Sequence, residues 1–236
     1  MKRSILAAVL FLSFAVCFPR QPQRIDLEFP TLASLEYLKL NNDEYLTYGI
    51  PLGIKAVIFN ENSLNGMEIG FNFYFNLGMG INNGNHTREI SVFEYNNSLT
   101  SFDFYIGALF NLYREHRLSV PFSIGLRVNF VFNDYIYDVP ISYRPPYGFI
   151  TISQNTEVDY SAIVYGIGFN IGMQAYFNRR ESVYIFLKLY GAIDFLVSYF
   201  KISKIPGHDE GYADRNTQFA FGFMANPQIG IGFRVQ

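Results

Sequence analysis

From Phe219 to Val235 the odd positions read Phe, Phe, Phe, Ala, Pro, Ile, Ile, Phe, Val, and the even positions between them read Ala, Gly, Met, Asn, Gln, Gly, Gly, Arg. A period of two is that of a β-strand, whose successive side chains point to opposite faces, so one face is a wall of large apolar groups and the other is small or polar. An ordinary globular strand has about 5–6 residues, whereas a tilted strand crossing a bilayer needs about 9–11. The stretch therefore predicts a membrane-crossing strand.

The same alternation recurs upstream. In Tyr45–Phe59 the apolar face is Leu46, Tyr48, Ile50, Leu52, Ile54, Ala56 and Ile58. The next run places Met67, Ile69, Phe71, Phe73, Phe75, Leu77, Met79 and Ile81 on one side and Glu68, Gly70, Asn72, Tyr74 and Asn76 on the other. Ser101–Tyr113, Leu118–Tyr135, Val158–Phe177 and Ser182–Phe200 follow the pattern, so with the final strand seven are visible. Short connections (Asn60–Asn65, Arg114–Arg117, Asn178–Glu181) alternate with long ones (Asn82–Thr100, Asp134–Glu157, Lys201–Asn216). That is the rhythm of an outer-membrane barrel, with tight periplasmic turns and longer external loops. An even barrel with both termini on the periplasmic side needs one more strand, which places it at Arg24–Leu40. There Ile25, Leu27 and Phe29 alternate with polar neighbours, although Thr31–Leu40 would equally suit a short amphipathic helix. The prediction is all-β: an eight-stranded, up-and-down, antiparallel transmembrane barrel over residues 24–236.

The second face is rich in Gly, Ser and Asn and too poor in charge for a solvated exterior, so it is expected to line the narrow lumen while the apolar face meets lipid. Phe59, Tyr113, Tyr160, Phe177, Tyr199, Phe219 and Phe233 stand near strand ends, as interfacial girdles would. Seven charges fall on the inward face: Lys55, Glu68, Asp103, Arg127, Lys188, Asp194 and Arg234. Folding about the short turns brings Asp103 to Arg127 and Lys55 to Glu68. These charges form either a structural ion-pair network or the wall of a conducting lumen, and an eight-stranded interior, only wide enough for side chains, favours the network.

Composition suits either a soluble β protein with a large core or a membrane barrel: the chain is 50% hydrophobic and 18% aromatic but only 16% charged, and its formal charge of -2 excludes a nucleic-acid footprint. Residues 1–17 read as a signal peptide, with Met1-Lys2-Arg3 before an uncharged run, Ser4–Val16, too short to span as a helix. Cleavage falls after Ala15 or Cys17, and lipidation of Cys17, the single cysteine, is the alternative fate of that position. The histidines His86, His116 and His208 stand in connections with no serine partner suitably placed, and neither metal-ligand spacing nor a nucleotide fingerprint is present, so no catalysis and no cofactor are expected.

These strands and the C-terminal run Gln228-Ile229-Gly230-Ile231-Gly232-Phe233-Arg234-Val235 resemble the small bacterial outer-membrane barrels of the OmpX, OmpW and OmpA-transmembrane type. In that resemblance Gln228, Gly230, Phe233 and Val235 match the signal read by the barrel-assembly machinery, with departures in the extra Gln236 and the missing terminal aromatic. The resemblance implies a monomer in the outer-membrane lipid, meeting that machinery on its way in. It further implies a structural or surface-interaction role toward an extracellular or host ligand of unknown identity. A narrow channel for small hydrophobic or polar solutes is the alternative, and a lipid-modifying enzyme the remoter one.

Overall fold

The computed structural model describes residues 22–40, 43–60, 65–82, 87–91, 98–115, 117–143, 150–177, 182–204 and 212–235, and every element among them is a strand. In chain order these are β1 (Pro22–Leu32), β2 (Ser34–Leu40), β3 (Asp43–Asn60), β4 (Asn65–Asn82), β5 (Thr87–Ser91), β6 (Ser98–Glu115), β7 (Leu118–Tyr143), β8 (Ile150–Tyr176), β9 (Val183–Lys204) and β10 (Tyr212–Arg234). β1 and β2 are halves of one crossing interrupted at Ala33, since both pair antiparallel with β3 on one side and β10 on the other. Counted as one, they close an eight-stranded antiparallel ring with β3, β4, β6, β7, β8, β9 and β10, while β5 lies beside the upper part of β4. The start of β1, the end of β10 and the strand ends that flank the β3–β4, β6–β7 and β8–β9 junctions lie at one end, the terminal end, and the opposite strand ends make the distal end.

Residues 31–40 thus form strand, not helix, with Leu35–Lys39 pairing onto both neighbours. Closure is the physical reason, because without this crossing β3 and β10 would each present an unpaired edge to lipid. The apolar face points outward along all the ring strands. Leu52, Phe71, Phe104, Ile124, Ile167, Leu187 and Phe223 are exposed. The inward face is buried and polar: Asp26, Glu28, Lys55, Glu68, Asp103, Arg127, Lys188 and Asp194 are each no more than 3% exposed. One lipid-facing belt surrounding buried charge is the inverse of a soluble protein.

Glycine gives the interior its room at one row in particular. Gly107, Gly125 and Gly168 pair side by side across β6, β7 and β8. Tyr105 lies over this floor and meets Tyr190 edge-on, with ring centroids 5.5 Å apart. A Cβ at Gly168 would stand 2.8 Å from Tyr105 Cδ2, so the ring occupies the volume a side chain would need.

Bulges correct the expected faces. Tyr48 pairs with Gly78 but Gly49 pairs with Asn76, which leaves Leu77 as an extra residue. Parity inverts beyond it, and Met79, expected toward lipid, is turned inward and 2% exposed. A second inversion at Phe195 brings Val197 inside. Three of the expected girdle aromatics also face inward: Phe59 and Tyr160 are buried, and Tyr199 stacks on Tyr160. Tyr113, Phe177, Phe219 and Phe233 are exposed.

The long connections are shorter than expected because their flanks remain strand. β7 and β8 stay paired from Asp134–Asp159 out to Tyr143–Ile150, β9 reaches Lys204 and β10 begins at Tyr212. β-branched and aromatic residues (Tyr135, Tyr137, Val139, Ile141, Thr151, Ile152) favour that extension. β5 likewise forms within the stretch 82–100, read from sequence as a loop or extended hairpin tip.

Candidate functional site

The inward charges stack along the barrel axis in four groups. At the terminal end Arg24 makes a forked contact with Asp26, Nη2 standing 2.6 Å and Nε 2.9 Å from its carboxylate oxygens, and Nη2 also donates to the Tyr176 hydroxyl at 3.1 Å. Arg234 Nε lies 3.8 Å from the other oxygen of Asp26. Above it, Glu28 on β1 accepts from Lys188 Nζ at 2.7 Å, from Gln174 Nε2 at 2.7 Å and from the Tyr184 hydroxyl at 2.9 Å. The third group is Glu68, which sits 3.2 Å from Lys55 Nζ and accepts from Ser123 at 3.0 Å and Asn170 at 2.7 Å. Glu28 and Glu68 are thus each partnered by one cation and by neutral donors, and Asp26 lies between two arginines, so each of these buried carboxylates has the compensation under which buried charge is tolerated.

Arg127 on β7 forms the fourth group. Its Nε donates to Asp103 on β6 at 2.9 Å, its Nη1 to both oxygens of Asp194 on β9 at 2.8 and 2.7 Å, and its Nη2 to Glu36 on β2 at 3.0 Å. The guanidinium presents five donors in a fixed fork, so one side chain ties together four strands across the lumen. Asn129 donates its amide nitrogen to Glu36 at 3.1 Å, and the Tyr74 hydroxyl donates to Asp103 at 3.2 Å. On the distal side of this group the lumen turns apolar. Tyr45, Met79, Tyr160, Ala162, Val164 and Val197 pack together there. A cavity of ≈ 20 Å³ lies among them, with Glu36 as its one charged wall.

The residues predicted from sequence fall as follows. Asp103 meets Arg127 and Lys55 meets Glu68, both across neighbouring strands. Lys188 meets Glu28 and Arg234 approaches Asp26, partners that sequence reasoning did not name, and Asp194 meets Arg127, a named residue whose second pairing was not drawn. The missed residues are Arg24, Asp26, Glu28 and Glu36, on the crossing whose type was ambiguous. Their signal was present, since Asp26, Glu28, Ser34 and Glu36 keep the even, inward parity of a strand. Of the C-terminal run, the Gln228 side chain is buried inside, Phe233 and Val235 are exposed, and a Cβ at Gly230 would stand 2.5 Å from Phe186 Cζ. Residues 1–17, the three histidines and the tips of the long connections lie outside the described residues.

A closed antiparallel ring with lipid-matched side chains outside and paired charges inside is a transmembrane β-barrel of the bacterial outer-membrane type, and lipid covers its apolar face. Solved outer-membrane proteins are similar to this chain. The outer membrane protein OprG from Pseudomonas aeruginosa superposes with a TM-score of 0.51 at 6% identity, covering 92% of this chain and 98% of that one. A major outer membrane protein from Thermus thermophilus gives 0.45 at 13% identity (88% and 98% covered), and the outer membrane protease OmpT from Escherichia coli gives 0.36 at 10% identity (91% and 97% covered). No family model matches the sequence, and no curated protein matches it.

Proposed function

We propose that this protein is a non-catalytic resident of the bacterial outer membrane, in which the barrel is a closed, rigid anchor and the distal β-structure carries contacts with the surroundings. The observation that supports this reading is the Arg127 group, which spans the lumen from β7 to β2, β6 and β9 with hydrogen-bonded contacts of 2.7–3.0 Å. A lumen bridged in this way and filled above and below by other side chains supports a closed barrel over a conducting one. The distal β7–β8 ribbon adds to the reading. Beyond the last β6–β7 pair at Ser98–Asp134 it continues to Tyr143–Ile150, which brings β7 to 26 residues and β8 to 27 against the roughly 9–11 a membrane crossing needs.

The test is single-channel recording of the refolded protein in planar bilayers, where the expected result is a silent membrane. Discrete conductance steps altered by Asp103→Asn would establish the channel reading instead. A lipid-modifying activity that disappears in His208→Ala would overturn the non-catalytic part.

A further inference from the structure

We propose that the free edge of the distal ribbon, Ile150–Thr156 on β8, takes up an extended basic segment of another protein as an added antiparallel strand. This assignment rests on the distal β-structure being the contact surface. β7 and β8 pair in step from Phe122–Ile171 out to Tyr143–Ile150. Their outer neighbours stop earlier, β6 at Ser98–Asp134 and β9 at Glu157–Lys204. Among the described residues no strand pairs with Ile150–Thr156, nor with Tyr135–Tyr143 on its other side, so the ribbon presents two backbone edges.

Two prolines show which backbone groups face outward. The β7–β8 ladder skips Val120 and Pro121 while its register on either side is unchanged, and Pro121 keeps its pair with Asn111 on β6. A proline lacks the N–H and breaks a ladder only on the side its nitrogen faces. Odd-numbered residues of β7 therefore turn their N–H and C=O toward β8, and even-numbered ones turn theirs away. Pro140, an even position, accordingly keeps its pair with Ser153. In an antiparallel ladder the residue opposite an outward-turned one is outward-turned as well. Thr151, Ser153 and Asn155, the partners of Ser142, Pro140 and Asp138, thus turn their N–H and C=O groups to the outer edge of β8.

The two edges are not equal. The outward-turned positions of β7 include Asp138 and Pro140, a charge and a missing donor, which are devices that keep a sheet edge from pairing. Ile150–Thr156 reads Ile-Thr-Ile-Ser-Gln-Asn-Thr, with no charge, proline or glycine and with β-branched residues at four of its seven positions. A second copy of this chain does not suit that edge. Copies in one membrane share an orientation, so their β8 edges would meet parallel, and the antiparallel alternative, β8 against the next copy's β7, runs into Asp138 and Pro140. Charge selects among other partners. Residues 134–159 hold Asp134, Asp138, Glu157 and Asp159 against Arg144 alone, which favours an incoming strand that carries lysine or arginine. Main-chain hydrogen bonds supply the affinity in strand addition, so alternation and charge count here for more than a particular sequence.

The experiment uses the full-length barrel refolded in lipid nanodiscs and a synthetic peptide of about nine residues, valine alternating with lysine and threonine, long enough to cover the edge at ~3.4 Å per residue. Amide hydrogen exchange, read by NMR, is expected to be fast at Thr151, Ser153 and Asn155 in the barrel alone and to slow there on saturation with peptide, with no change at Asp138 or Ser142. Ser153→Pro removes an outward N–H without touching the β7–β8 ladder and is expected to weaken binding about tenfold or more, whereas Ser142→Pro, its counterpart on the β7 edge, leaves binding unchanged. Heat-modifiable gel mobility reports that each variant is folded. Peptides N-methylated at one alternate set of residues or the other test the pairing with the barrel unaltered, and only one of the two sets is expected to abolish binding. The proposal is overturned by slow exchange at Thr151, Ser153 and Asn155 before peptide is added, by equal binding to Ser153→Pro, by N-methylation of either set acting alike, or by a glutamate-for-lysine peptide binding as tightly as the basic one. A barrel that is silent in planar bilayers yet takes no peptide would overturn this assignment and leave the non-conducting reading standing.

Discussion

Replacing Arg127 by Met keeps most of the side-chain volume and removes the one cation that three carboxylates share. The wild-type guanidinium makes contacts of 2.9 Å to Asp103, 2.8 and 2.7 Å to Asp194 and 3.0 Å to Glu36, with itself and both aspartates wholly enclosed. Removing one partner of a buried pair costs about 3–5 kcal/mol, because the remaining charge is left desolvated and uncompensated. Here three charges are orphaned at once, so Arg127→Met belongs at the upper end of that range, about 5 kcal/mol, comparable with the whole stability of a marginal domain. Arg127→Lys keeps the charge but not the fork, and a point donor does not reach Asp103, Asp194 and Glu36 together, so it falls between Met and wild type. The triple variant Arg127→Met, Asp103→Asn, Asp194→Asn removes the two fully enclosed charges with their partner, leaving only Glu36, and is expected to recover at least half of the loss. The assay is urea unfolding of the refolded barrel in lipid vesicles, read by far-UV circular dichroism and gel mobility, since the chain contains 0 Trp and offers no indole fluorescence. Stability of Arg127→Met within about 1 kcal/mol of wild type, or no recovery in the triple variant, would refute the claim that this network holds the barrel together.

Two further substitutions probe the two faces in the same assay. Phe223, on the outward face of β10 and 43% exposed, is expected to cost about 2–4 kcal/mol when changed to Lys near the bilayer midplane, and unchanged stability would count against lipid contact there. Gly168→Ala puts a methyl group 2.8 Å from Tyr105 Cδ2, against a ring already wedged on Tyr190, and is expected to destabilise by about 1–3 kcal/mol. In Tyr105→Ala the same Gly168→Ala change should cost much less, and an equal cost in both backgrounds would show that the glycine row serves something other than the ring.

The barrel was legible in the sequence wherever period-two alternation stayed in phase over a full crossing, as it does from Leu46 to Ile58 and from Phe221 to Phe233. It was lost at two kinds of place, for different physical reasons. A bulge inserts one residue without any compositional mark, so nothing in Leu77 or Phe195 announces that Met79 and Val197 turn inward. The first crossing was assigned as strand only by counting an even ring, and its local signals were mixed. Leu32, Leu35 and Leu38 recur at the three-residue spacing of a helix, and Ala33 interrupts the strand, so two local signals compete and only ring closure decides between them. The cost of that ambiguity fell on the site. Asp103–Arg127 and Lys55–Glu68 join neighbours in a hairpin and follow from counting, but Lys188 and Arg234 find their carboxylates on β1, and Arg127 finds its third on β2. The crossing that is hardest to read thus supplies Asp26, Glu28 and Glu36, one anion to three of the four layers. A barrel missing β1 and β2 would leave Lys188 with no carboxylate at 2.7 Å while also opening two edges to lipid. Closure of the backbone and neutralisation of the lumen are therefore one event, completed by the docking of the same strand.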